Sequence, residues 1–202
     1  MRAPIWIAVL LGLVAPARAE EPMEREPDAS AVPAREAMTT YFEGEKGGGY
    51  TLIGMGVVGL AVGIPMLIRG GSTDEDTLRG ASYPAIGFGV LHLAAGLFVG
   101  VSSAKRIRVF RKDIQYESDA WIEREQKRMV GVSRQFTILK IVEVVGIAGG
   151  IAMAGIGQQQ DRPLLTGIGI ALAVELGATL VFDIVAARRA KRYRAALGAI
   201  LF

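Results

Sequence analysis

A chain of 202 residues that is 51% hydrophobic, carries 26 glycines and has a mean hydropathy of +0.35 is too apolar for an ordinary soluble domain. Its charged residues, 21% of the total with a formal net charge of +3, gather in the connections and ends and leave long apolar blocks between them. The absence of cysteine excludes disulfides, thiol nucleophiles and thiolate metal sites, and a single histidine leaves little room for imidazole ligation, so no cofactor or metal is expected.

Residues 1–19 read as a signal peptide. Arg2 supplies the positive start, an apolar run extends from Ile5 to Ala15, and Ala17-Arg18-Ala19 fits a small-x-small cleavage site before Glu20. Residues 20–49 follow as an acidic, largely disordered arm with eight acids, three bases and prolines at 22, 27 and 33. Within it Met38, Tyr41 and Phe42 share one face of a short amphipathic turn, and Gly47-Gly48-Gly49 is expected to act as a hinge.

Four apolar segments of spanning length come next: 50–68, 84–103, 137–157 and 164–187. Lipid offers no partner to a free backbone amide, so each is expected to be a helix. Short polar turns at 69–83 and 158–163 make residues 50–103 one transmembrane hairpin and 137–187 a second. The charged segment 104–136 between them has apolar residues at helical spacing: Ile107, Phe110 and Ile114, then Ile122, Met129 and Phe136. It is expected to form a helical hairpin outside the membrane, turning near residues 116–119. Residues 188–202 form a basic tail.

The two hairpins look like copies of one unit. Val57–Met66 and Val144–Met153 share seven of ten residues, and each is preceded by an aromatic-threonine pair, Tyr50-Thr51 and Phe136-Thr137. The second helix of each hairpin opens with Gly-x-Gly (Gly87 and Gly89; Gly167 and Gly169) and ends in a basic run. The pairs Gly59 and Gly63, Gly96 and Gly100, and Gly146 and Gly150 have the small-xxx-small spacing that lets helix backbones approach closely in lipid.

Ionisable side chains in such segments cost about 2.5 to 3.5 kcal/mol each at the bilayer centre, so His92, Glu143, Glu175 and Asp183 need partners or a purpose. Counting from the segment ends places His92 and Glu175 near the midplane, where they could face each other. Glu143 and Asp183 lie nearer the surface, within reach of Lys140 or Arg188. These four are either a proton-linked site or interhelical hydrogen bonds that set register. Lys105, Arg106, Arg108, Arg188 and Arg189, in basic runs just beyond the apolar segments, are candidates for contact with lipid headgroups. No stacking platform accompanies them, so nucleic acid is not an expected partner. Walker A, His-Glu-x-x-His and Gly-x-Ser-x-Gly motifs are absent, and no catalytic residue or enzymatic activity is expected.

The sequence therefore describes an all-α integral membrane protein of the plasma (inner) membrane, of a kind common among small bacterial multi-pass proteins. It has four transmembrane helices in two tandem hairpins and a helical extramembrane hairpin between the second and third. The leading function is a non-enzymatic interaction or structural component that docks a protein partner or another copy of itself through residues 104–136, with Trp121, Glu123, Arg124, Glu125, Lys127 and Arg128 as contacts. The alternative is a small proton-coupled transporter or channel using His92 and Glu175. Orientation stays open: seventeen Lys and Arg fall on the side of the long hairpin against three in the short turns, which favours the cytoplasm, whereas a cleaved signal peptide puts the same side outside.

Overall fold

The computed structural model describes residues 30–200; the expected signal peptide, the start of the acidic arm and the last two residues lie outside the described residues. Four helices account for nearly all of it: α1 (Ala31–Ser72), α2 (Asp76–Gln115), α3 (Glu117–Gln159) and α4 (Pro163–Ile200). Each contains a stretch long and apolar enough to cross a membrane. At 38 to 43 residues each, they run about 57 to 65 Å, roughly twice the hydrocarbon thickness of a bilayer. One half of each helix is therefore apolar, and the other half continues as a charged extension.

The breaks between helices have local causes. Asp74 (φ 54°) and Asp161 (φ 51°) adopt the left-handed conformation that aspartate tolerates better than most residues, and this turns the chain after α1 and after α3. The Thr73 and Gln160 amides donate back to the carbonyls of Arg69 and Ile156, both at 3.0 Å, and close those helix ends. Between α2 and α3 the helical path is interrupted at Glu117 alone (φ −145°, ψ 51°), inside the span expected for the turn.

Along the apolar halves the helices meet through glycine. A Cβ on Gly49 would lie 2.8 Å from the Gly96 carbonyl, on Gly56 2.7 Å from that of Gly89, and on Gly59 2.9 Å from that of Ala85, so the contact points descend α2 as they climb α1. In the other pair, a Cβ on Gly150 would lie 2.8 Å from the Gly169 carbonyl, while Gly146 faces Leu176. Helices α2 and α4 touch where Gly167 meets Thr77 and Ala81.

The charged extensions enclose the main core. Ala31, Ala34, Met38, Tyr41 and Phe42 of α1 pack with Ile114 of α2, Trp121, Ile122 and Met129 of α3, and Ala190, Tyr193 and Leu197 of α4; Ile107, Phe110 and Phe136 pack against them. This changes two expectations. From residue 31 onward the acidic arm is helix, because Ala31, Ala34, Met38 and Phe42 form one apolar stripe that the neighbouring extensions cover. The triple glycine is not a hinge but a close-approach point: Gly48 packs on Phe182 and Gly49 on Gly96 and Gly100, contacts that outweigh the cost of about 1 kcal/mol per glycine in a helix. The basic tail, described above by its charge alone, is also part of the core through Tyr193 and Leu197.

Candidate functional site

Polar groups are buried in two tiers. The upper tier lies within the charged extensions and was missed in the sequence. Glu45 accepts a hydrogen bond from the Tyr41 hydroxyl (2.5 Å) and another from Ser103 of α2 (3.2 Å). Glu125, 3% exposed, takes both Nε and Nη2 of Arg128 at 2.7 Å and also the Tyr193 hydroxyl of α4 at 3.1 Å. The Tyr41 and Tyr193 rings stack with centroids 4.2 Å apart and an interplanar angle of 7°, so the two carboxylate clusters are joined through aromatic contact. The Arg128 and Arg106 guanidinium groups lie over the Phe42 ring at 5.6 and 5.8 Å.

The electrostatics follow from this packing. Burial, with the adjacent carboxylate of Glu45, raises the Tyr41 pKa above its ordinary value; burial, with Glu125, does the same for Tyr193. Burial disfavours the Arg128 charge, but the two-point bond to Glu125 and the attraction of that carboxylate outweigh it, so its pKa rises. Arg106 lacks such a bond, and burial together with repulsion from Arg128 lowers its pKa.

Several sequence candidates take different places here. Trp121, expected as an exposed contact, is 3% exposed with its ring against Phe110 at a 5.6 Å centroid distance, because its helical position points into the core stripe. Glu125 and Arg128 face inward as well, while Glu123, Arg124 and Lys127 are exposed. Among the headgroup candidates Lys105, Arg108 and Arg188 are exposed, but Arg106 turns toward Phe42 and Arg189 donates to the Gly44 carbonyl. The hint available in sequence was the spacing of Tyr41 to Glu45 and of Glu125 to Arg128, each one helical turn apart.

The lower tier lies in the apolar halves. His92 is buried, and its Nε2 pairs with the Thr179 hydroxyl of α4 (3.1 Å), which in turn donates to the Glu175 carbonyl (2.8 Å). His92 thus reaches the turn that carries Glu175 through Thr179, and Glu175 itself is half-buried. Glu143 of α3 and Asp183 of α4, both buried, are neighbours, with Lys140 close to both. Two buried side-chain atoms in this tier have no hydrogen-bond partner, His92 Nδ1 and Glu143 Oε2.

The fold and the two tiers define the class: an all-helical protein with four helices long and apolar enough to be those of a multi-pass membrane protein. Comparison with protein families, with curated proteins and with solved structures found no match, so no relative adds to that description.

Proposed function

We propose that this chain is a non-enzymatic membrane scaffold. In this reading its four apolar stretches cross the bilayer as two tandem hairpins, and their charged extensions stand outside it as one rigid four-helix bundle. The observation that carries the reading is the shared core of those extensions, in which all four helices take part and the carboxylates of Glu45 and Glu125 are paired. A closed interior whose carboxylates are paired suits a load-holding or docking element, since a substrate path needs groups that can exchange partners. Docking falls to the outer face of α3, where Glu123, Gln126, Lys127 and Val130 line a shallow depression with Arg194 of α4. A protein partner or a second copy of the chain is the occupant proposed for this face.

The unpaired atoms of His92 and Glu143 favour a second reading, a proton-coupled carrier operating through the lower tier. Proteoliposomes separate the two. The scaffold reading expects no pH-driven ion flux above protein-free vesicles; flux that is abolished in Glu143→Gln would overturn it.

A further inference from the structure

The basic residues of α2 and α4 are not spread evenly around the molecule. After Arg106 and Arg189 turn inward, Lys105, Arg108, Arg111 and Lys112 remain exposed on α2, and Arg188, Lys191, Arg192 and Arg194 on α4. The opposite end differs: its exposed bases Arg69, Arg79 and Arg162 are interspersed with Asp74, Glu75 and Asp161.

Register places the two basic runs at one height. Helices α2 and α4 touch at Gly167 with Thr77 and Ala81 near one end, and His92 bonds to Thr179 further along, so both contacts advance together and the helices run in the same direction. The His92 to Thr179 contact joins residues 87 apart, and the same offset sets Arg192 level with Lys105. Depth agrees with this. Lys105 lies thirteen residues beyond His92, about 20 Å along the helix, and His92 is near the centre of the apolar run 84–103. The hydrocarbon half-thickness is about 15 Å, which puts Lys105 and Arg192 among phosphates, with Arg108 about one turn further out and Arg188 about one turn deeper, at the edge of the acyl chains.

We infer that Lys105 and Arg108 of α2, with Arg188 and Arg192 of α4, form a belt that binds the headgroups of anionic phospholipids in the leaflet beside the charged extensions. The inference rests on the membrane crossing proposed above. Charge complementarity supplies the attraction, and the belt borders the lipid-facing apolar surface directly, so a lipid whose tails lie on that surface brings its phosphate to these side chains. Lysine and arginine at this position reach the interface along their aliphatic stems.

The test uses the full chain in phosphatidylcholine vesicles containing trace spin-labelled phosphatidylglycerol or spin-labelled phosphatidylcholine, and reads the fraction of each label held motionally restricted by the protein. Restricted lipid of either kind establishes that the chain is embedded, independently of the belt. The expected result is a several-fold preference for phosphatidylglycerol at low salt, lost at high salt and lost in K105Q/R108Q/R188Q/R192Q, with R69Q/R79Q/R162Q unchanged. Equal restriction of both lipids, or a preference that survives the fourfold substitution, overturns the inference. Loss of the preference on adding inorganic phosphate, beyond that caused by chloride of equal ionic strength, also overturns it, by pointing to free phosphate as the ligand. So does tight retention of a short DNA duplex without any lipid preference. All four positions are exposed, and an unchanged near-ultraviolet signal from the Tyr41 and Tyr193 stack verifies that the variant is folded.

Discussion

Leu197 and Val58 are both aliphatic side chains on long helices, yet Leu197 is fully buried and Val58 is 62% exposed. The contrast holds along the whole molecule. In the charged extensions methionine, phenylalanine, tyrosine, tryptophan and leucine meet in one core, and the surface is polar apart from Val32, Val109 and Val130. In the apolar halves Val62, Leu91, Val145, Val174 and Val181 point outward, and the contacts between helices are made by glycine and alanine backbones. Water drives the first kind of association by expelling apolar surface. In the lipid that the proposed membrane crossing would give the apolar halves, the same side chains gain nothing by leaving their surroundings, so close backbone contact and hydrogen bonds remain. One chain thus uses two packing rules, and the boundary between them falls near Gly47–Gly49 on α1, where large core residues give way to close-approach glycines.

Substitutions that respect this boundary should differ sharply in effect. Phe42→Ala is expected to cost about 3 to 5 kcal/mol and Leu197→Ala about 2 to 5 kcal/mol, from lost burial and the cavity left behind, while Val58→Ala should be near neutral. Thermal unfolding of the protein in a mild detergent, followed by circular dichroism, measures both; a cost for Val58→Ala equal to that for Leu197→Ala would erase the distinction. Glu125→Ala is expected to cost about 3 to 5 kcal/mol, because it leaves Arg128 in the bundle without its carboxylate. Glu125→Ala with Arg128→Met should recover much of that loss in the same assay.

Gly59→Leu sharpens the comparison from the other side. It forces α1 away from Ala85 and Gly89 at an expected cost of about 1 to 3 kcal/mol. It should leave the Tyr41 and Tyr193 stack intact, which near-ultraviolet circular dichroism reports. Alkaline titration gives a further separation. Tyr41 and Tyr193 hold their protons more tightly folded than unfolded, so below pH 10 the shift has no effect on stability; as pH rises past that ordinary value the unfolded chain ionises first and stability falls. Tyr193→Phe should flatten this alkaline slope in pH-dependent unfolding curves. Among the losses of a specific contact the smallest is expected from His92→Leu, about 0.6 kcal/mol, the average for a hydrogen bond between helices in lipid.

The apolar blocks made four spanning-length helices legible, and helical spacing picked out Ile107, Phe110, Ile114, Ile122, Met129 and Phe136, all of which line the core. What stayed hidden was the partner of that stripe. The acids and prolines of residues 20–49 mask the spacing of Ala31, Ala34 and Met38, and alanine carries a weak apolar signal although it suits a tight helix contact. Likewise the basic residues of the tail obscure Tyr193 and Leu197, whose neighbours lie far away in the chain. The candidate contacts differ for a related reason: helical phase decides whether a residue faces inward, so Trp121 and Glu125 both read as available contacts although both are buried. In the lower tier counting sets His92 level with Glu175, whereas its contact is Thr179, one turn beyond that acid.

The stacking of Tyr41 on Tyr193 also sets a timetable for biosynthesis. The two residues are about 150 positions apart, and at roughly 5 to 20 residues per second a ribosome needs about 8 to 30 s to make the second after the first. Throughout that interval the apolar stripe of Ala34, Met38 and Phe42 lacks its cover from α4. The nascent extension therefore keeps that stripe without its α4 cover until the last helix arrives, and the four-helix bundle of the extensions closes only then.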